Sequence, residues 1–152
     1  MLNLNSIDEL RDYLGKATGS SPWIAVTQER INKFAKATED YQWIHLDESR
    51  AKDGPFGTTI AHGFLTLSLA PWMSYNTYEI KNIAHSVNYG LDRVRFLSPV
   101  KAGSKVRGNY KLLEVEEFKG NGFKIKNELS IEIENEERPA CVAETLGVIY
   151  PK

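Results

Sequence analysis

The spacing of apolar positions changes midway along the chain, dividing it into a helical first half and an extended second half. Ile7, Leu10 and Leu14 recur at helical intervals behind Ser6 and Glu9, whose separation makes a capping box, and Gly15 ends the run. Trp23, Ile24 and Val26 follow the breaker cluster GSSP and read as a short extended segment. Thr27 then caps a helix over QERINKFAKA, with Ile31, Phe34 and Ala35 on one face. Asp40 to His45 falls on the loop leaving that helix, Asp47 and Glu48 open a brief helix through Ala51, and DGPFG turns the chain. From Ile60 to Met73 the sequence IAHGFLTLSLAPWM is apolar nearly all round, which for a helix implies burial on most sides. Pro71 removes a backbone donor and crowds the preceding turn, so a kink or an early end is predicted there.

Beyond that helix the period becomes two. Ile83, His85, Val87, Tyr89 and Leu91 share one parity and Val94 and Phe96 take the other, which predicts a bulge near residues 90–93. Val106, Tyr110 and Leu112 alternate before the parity slips at Leu113 and Val115. The cleanest alternation sets Phe123, Ile125, Leu129, Ile131 and Ile133 against lysines, glutamates and Ser130, and Asn121-Gly122 ahead of it is a hairpin-type turn. A last strand from Ala140 to Tyr150 completes a predicted meander. Four long antiparallel strands with one apolar face, preceded by one apolar helix, predict an α+β domain whose sheet curls around that helix. The open edge of such a sheet is a liability unless paired, which predicts a homodimer.

At 152 residues, 41% of them apolar, the chain suits one domain over its whole length. Its 19 basic and 20 acidic side chains are interspersed and leave a formal charge of −1, so no basic stripe recommends nucleic acid as a partner. The longest apolar run is too short to span a bilayer, the N-terminus lacks a basic segment followed by an apolar core, and the single cysteine, Cys141, sits in a strand-like run. The expectation is a cytoplasmic protein without membrane attachment.

Chemistry concentrates between Thr38 and Tyr75. Asp40 and His45 can face one crevice, and their ordinary pKa values, roughly 3.9 and 6.5, suit them to hold a water and move its protons near neutral pH. An aspartate after a helix also commonly turns or caps the chain, so the pair alone does not establish catalysis. The turn GTTIAHG delivers a helix N-terminus at Gly63, where unpaired N–H groups could bind an oxyanion or where a missing side chain could simply allow tight packing. His62 is a weaker candidate. With three histidines in the chain, no set has metal-ligand spacing, and GxSxG and GxGxxG are absent.

ATEDYQWIHLDESRA followed by GPFGTTIAHGFLTLSLAPWM resembles the hydratase motif of the (R)-specific enoyl-CoA hydratases, the MaoC-like dehydratase family of hot-dog fold, and more narrowly its NodN-like branch. NYGLDRVRFLSPVKAGSKVR is similar to that branch too, so the resemblance covers nearly the whole chain. It implies hydration of trans-2-enoyl-CoA to (3R)-3-hydroxyacyl-CoA, and the reverse dehydration, with no cofactor or metal. An acyl-CoA or acyl carrier protein thioester is the implied substrate. By motif position the catalytic pair is Asp40 and His45, and Gly63 supplies the amide that polarises the thioester carbonyl. The motif departs from a commoner form at Trp43, bulkier than the usual proline, and at Pro71, where some relatives carry serine; both departures bear on substrate length.

Phe64, Leu67, Trp72 and Tyr89 are candidates to line the acyl pocket, and Asn88 to orient the pair or the thioester. Lys81, Arg93, Arg95, Lys101 and Lys105 are available for CoA phosphates. Which of Asp40 and His45 is acid and which base stays open. A hot-dog thioesterase, which would bring water to C1 instead of C3, and a non-catalytic acyl-CoA binding protein are the alternatives.

Overall fold

The structure, a computed structural model, describes all residues from Met1 to Lys152. In chain order the elements are β1 (Leu2–Leu4), α1 (Ile7–Arg11), β2 (Ala17–Ser20), β3 (Ile24–Ala25), α2 (Gln28–Thr38), α3 (Trp43–Leu46), α4 (Glu48–Ala51), α5 (Gly63–Ser68), α6 (Ala70–Tyr75), β4 (Tyr78–Ile80), β5 (Ile83–Phe96), β6 (Lys105–Phe118), β7 (Gly122–Ile133) and β8 (Cys141–Pro151). Ser6 and Thr27 cap α1 and α2 as their sequences predict, each accepting a backbone N–H three residues on.

Four long strands form, with bulges close to where the parity changes put them: between Asn88 and Gly90 and between Asp92 and Arg95 in β5, and between Leu112 and Glu114 in β6. Their order corrects the expected meander. β6, β7 and β8 are successive antiparallel neighbours, but β5 pairs with β8 instead of β6, giving the order β2-β6-β7-β8-β5 with β3 also on β6. The apolar parity of a strand says which face is buried and carries no information about its neighbour. β1 and β4 form a separate parallel pair, too short to leave a periodic signal.

The long apolar helix arrives in two pieces. Leu69 separates α5 from α6, so the break falls two residues before Pro71, which occupies the first turn of α6 where its missing N–H costs nothing. One side of this pair carries Leu65, Leu69, Ala70 and Met73 into a core with Val106, Tyr110, Leu129, Ile131 and Cys141 of β6 to β8. Gly108 permits the close approach: a Cβ there would lie 3.0 Å from the Met73 sulfur. The opposite side is open, with Phe64, Trp72 and Tyr75 exposed, so burial on most sides does not hold within one chain. β5 is likewise exposed on both faces, because the helices lie over β6 to β8 and leave the β5 edge uncovered. No helix is long and apolar enough to cross a membrane.

Candidate active site

The segment from Thr59 to His62 is anchored on both sides. The Ile60 N–H donates to the Ile44 carbonyl, the Ala61 N–H to Val100, and the Ala102 N–H to Thr59. These bonds set the start of α5 against α3 and the turn after β5. Gln28 ties the corner from a third side: its amide donates to the His45 carbonyl at 2.7 Å and accepts the Thr59 hydroxyl.

His45 sits on α3, a single turn, and not on the loop its sequence context suggests. It is buried, and its Nδ1–H donates to the Ile60 carbonyl at 2.7 Å. That bond selects the tautomer and leaves Nε2 as an acceptor. Burial pushes the imidazole pKa down, the Ile60 carbonyl opposes this, His62 lowers it further and Asp40 raises it. Asp40 follows Glu39, whose left-handed backbone ends α2, and its half-exposed carboxylate accepts weakly from the Gln42 N–H at 3.4 Å. A half-exposed acid and a buried base are thus brought close together, with His45 lining a cavity at the start of α5 and Asp40 lining neither that cavity nor the larger one beneath α6.

His62 is the residue that sequence reasoning undervalued. It is 3% exposed, its ring stacks on that of His45 with centroids 3.8 Å apart, and it lies against Phe34. Its Nε2–H donates to the Asp40 backbone carbonyl at 3.0 Å, with a carboxylate oxygen of Asp40 at 4.0 Å, while Nδ1 is buried and unpaired. The available signal was its place beside Gly63 in the same turn. Gln28 and Thr59 had no such signal, since their roles depend on contacts across 31 residues.

A carboxylate oxygen of Asp40 and a ring nitrogen of each histidine lie within 4.8 Å of one another, a cluster that sequence spacing did not reveal. It fits a metal ion poorly. Imidazole lone pairs lie in the ring plane, and two rings stacked 24° from parallel cannot both aim at one point about 2 Å away. One nitrogen of each ring is also occupied by a carbonyl.

Gly63 opens α5 beside His45, and both line a cavity of about 290 Å³ with Thr66, Phe96, Pro99 and Val100. The N–H groups of this first turn have no intrahelical acceptor. A Cβ on Gly63 would lie 3.0 Å from the Phe96 ring, so the glycine is required for contact between the helix start and the end of β5. The remaining candidates are elsewhere. Asn88, Tyr89 and Leu67 line a larger cavity of about 680 Å³ between α6, β5 and the sheet, and Pro71 faces it too. Tyr89 also packs edge-on against Phe118. Phe64 is exposed and lies edge-on to Phe96, and Trp72 is exposed. Trp43, stacked under Arg50 and pressed against Gly54, borders neither cavity. Cys141 is a core residue whose thiol burial pushes up to about 11.

Fold and site together define a class: an α+β hot-dog domain with an acid and a histidine beside the N-terminus of its central helix. The chain belongs to the MaoC like domain family, whose pattern matches residues 10–134. It is 44% identical over 146 residues to 3-hydroxyacyl-thioester dehydratase Z of Mycobacterium tuberculosis, covering 96% of this chain and 97% of that one. Nodulation protein N of Rhizobium leguminosarum bv. viciae is 46% identical, with 95% and 91% covered. Among solved structures, the (R)-hydratase from A. caviae involved in PHA biosynthesis superposes with a TM-score of 0.69 at 20% identity, over 88% of this chain and 94% of that one. An Archaeoglobus monoamine oxidase regulatory protein gives 0.79 at 24% identity, over 100% and 99%. The chain is a MaoC-like dehydratase, an enzyme of the hydro-lyase class.

Proposed function

We propose that the protein hydrates trans-2-enoyl-CoA to (3R)-3-hydroxyacyl-CoA and catalyses the reverse dehydration, using Asp40 and His45 and neither metal nor cofactor. The observation that carries this reading is the bond from His45 Nδ1–H to Ile60, which leaves Nε2 as an acceptor on a ring that has a nitrogen within 4.8 Å of an Asp40 carboxylate oxygen. A water donating to both acceptors is oriented for attack. One of its protons passes to His45 Nε2 as its oxygen bonds C3, and the enolate-like C2 takes a proton back from the pair on the same face. The Gly63 N–H polarises the thioester carbonyl as charge develops on it, an interaction whose removal typically costs ~10²–10³ in rate. Dehydration reverses these steps.

The acyl chain runs along α5 and α6 into the larger cavity, where Leu67, Asn88 and Tyr89 stand. The relative named a 3-hydroxyacyl-thioester dehydratase supports a thioester substrate, delivered on CoA or on an acyl carrier protein. The test is hydration of crotonyl-CoA, followed by loss of enoyl absorbance. Asp40→Asn and His45→Ala should each lower turnover by orders of magnitude in folded protein. Release of free CoA would make the protein a thioesterase, and tight binding without turnover would make it an acyl-CoA carrier; either result refutes the proposal.

A further inference from the structure

Every buried residue that β7 turns toward the helices is apolar, except one. Ile125, Leu129, Ile131 and Ile133 are buried on that face, and Asn127 stands among them, 6% exposed. It is flanked by Leu112 on β6 and Thr145 on β8, and it lines the 680 Å³ cavity beneath α6. Its Nδ2 reaches the Tyr78 hydroxyl at 3.5 Å, a long contact, and its Oδ1 is buried with no partner at all. A nearby polar group offers no relief, since the Tyr110 hydroxyl is committed to the Ala70 carbonyl at 2.6 Å. A side-chain amide in an otherwise apolar layer is destabilising unless something completes its hydrogen bonds. A hydrocarbon chain filling this cavity would offer Asn127 no hydrogen-bond partner and leave it unsatisfied.

We propose that the large cavity takes an acyl chain bearing a hydroxyl group remote from the thioester, and that Asn127 is the residue that recognises it. This deepens the proposed thioester hydratase reading and rests on it. A hydroxyl fits because it both donates and accepts: once the amide rotates toward the cavity, it can satisfy either Oδ1 or Nδ2. An ammonium at Asn127 would have to shed its hydration in a layer of buried Ile125, Leu112 and Leu129, with the cavity's one carboxylate, Glu79, exposed to solvent, and that desolvation is far more costly than a neutral hydroxyl's. The group must be remote because Asn127 lies under α6, whereas the carbonyl site is at the start of α5. Gly63 and Ser74, which borders this cavity, are eleven residues apart, roughly 16 Å along a helical path at 1.5 Å per residue. A four-carbon chain cannot span that distance, so crotonyl-CoA never meets Asn127.

The experiment compares trans-2-dodecenoyl-CoA with derivatives hydroxylated at the last, second-last or third-last carbon, on the parent enzyme and on Asn127→Leu, with crotonyl-CoA on the parent as the control for the reaction itself. At least one hydroxylated substrate should exceed the plain chain by about tenfold or more in kcat/KM, carried mainly by KM. In Asn127→Leu that ratio should fall toward one, through gain on the plain chain and loss on the hydroxylated chain. Equal use of all chains by the parent enzyme, or a preference that survives in Asn127→Leu, overturns the proposal. Failure of every long chain while crotonyl-CoA is hydrated also overturns it, because the cavity then holds no acyl group. Failure on crotonyl-CoA and all long chains alike refutes the hydratase reading beneath it. The parent comparison needs no variant, so a folding defect in Asn127→Leu leaves a decisive measurement.

Discussion

His45 and His62 occupy one buried stack yet have different partners. His45 bonds the carbonyl of Ile60 and keeps a lone pair for chemistry, while His62 bonds the carbonyl of Asp40 and holds the loop that carries the acid. His62 is therefore placed to position the proposed pair, touching Asp40 through the backbone and His45 through ring contact. His62→Phe keeps the stack and deletes the bond. It should lower kcat by about 10²-fold, as a small displacement of a reacting group does, while KM for crotonyl-CoA and the thermal midpoint change little. Equal loss of stability and activity would reduce His62 to a core residue. The depressed pKa of His45 gives a second expectation. Its neutral form persists below the ordinary value of about 6.5, so the acid limb of kcat/KM should lie below that value and move up if burial is relieved. The sign for stability follows. The unfolded chain binds this proton more tightly, so the contribution is fully present above about pH 6.5 and is lost as pH falls through the folded value.

Elements were legible in proportion to how local their causes are. Caps at Ser6 and Thr27, the parity slip near Leu113 and the hairpin at Asn121-Gly122 act within a few residues, and all appear in the structure. The pairing of β5 with β8 across 44 intervening residues left no trace in either strand's pattern, and neither did the Gln28 brace. Asp40, His45 and Gly63 could be selected by motif, because their spacing reflects one loop and one turn. The stacking of His62 on His45 arises from the meeting of α3 with the start of α5, which no periodicity encodes. The contact between α5 and β5 is testable at this scale. Gly63→Ala drives a methyl into the Phe96 ring and should cost about 1–3 kcal/mol, as overpacking does. Adding Phe96→Leu should restore most of that stability, read as a recovered denaturant midpoint, since the smaller side chain yields the space.

At the scale of the molecule, the uncovered edge dominates. β5, fourteen residues long, pairs with β8 on one side only, and Val87, Tyr89, Leu91 and Phe96 are exposed along it beside Phe64 and Tyr75. A twofold copy would pair the edge and bury these side chains together. Sedimentation should give about twice the 17.2 kDa chain mass, and Val87→Asp should shift the population toward the monomer. A monomer at micromolar concentration would refute the assembly.

Phe96 belongs to that edge strand and presses on Gly63, so the backbone proposed to meet the thioester carbonyl is seated against the strand that would meet a second subunit. On the proposed mechanism catalysis would then acquire a dependence on protein concentration, although Asp40 and His45 come from one chain. Specific activity should be constant while the dimer persists and decline on dilution as β5 is released, following the same curve as the change in mass.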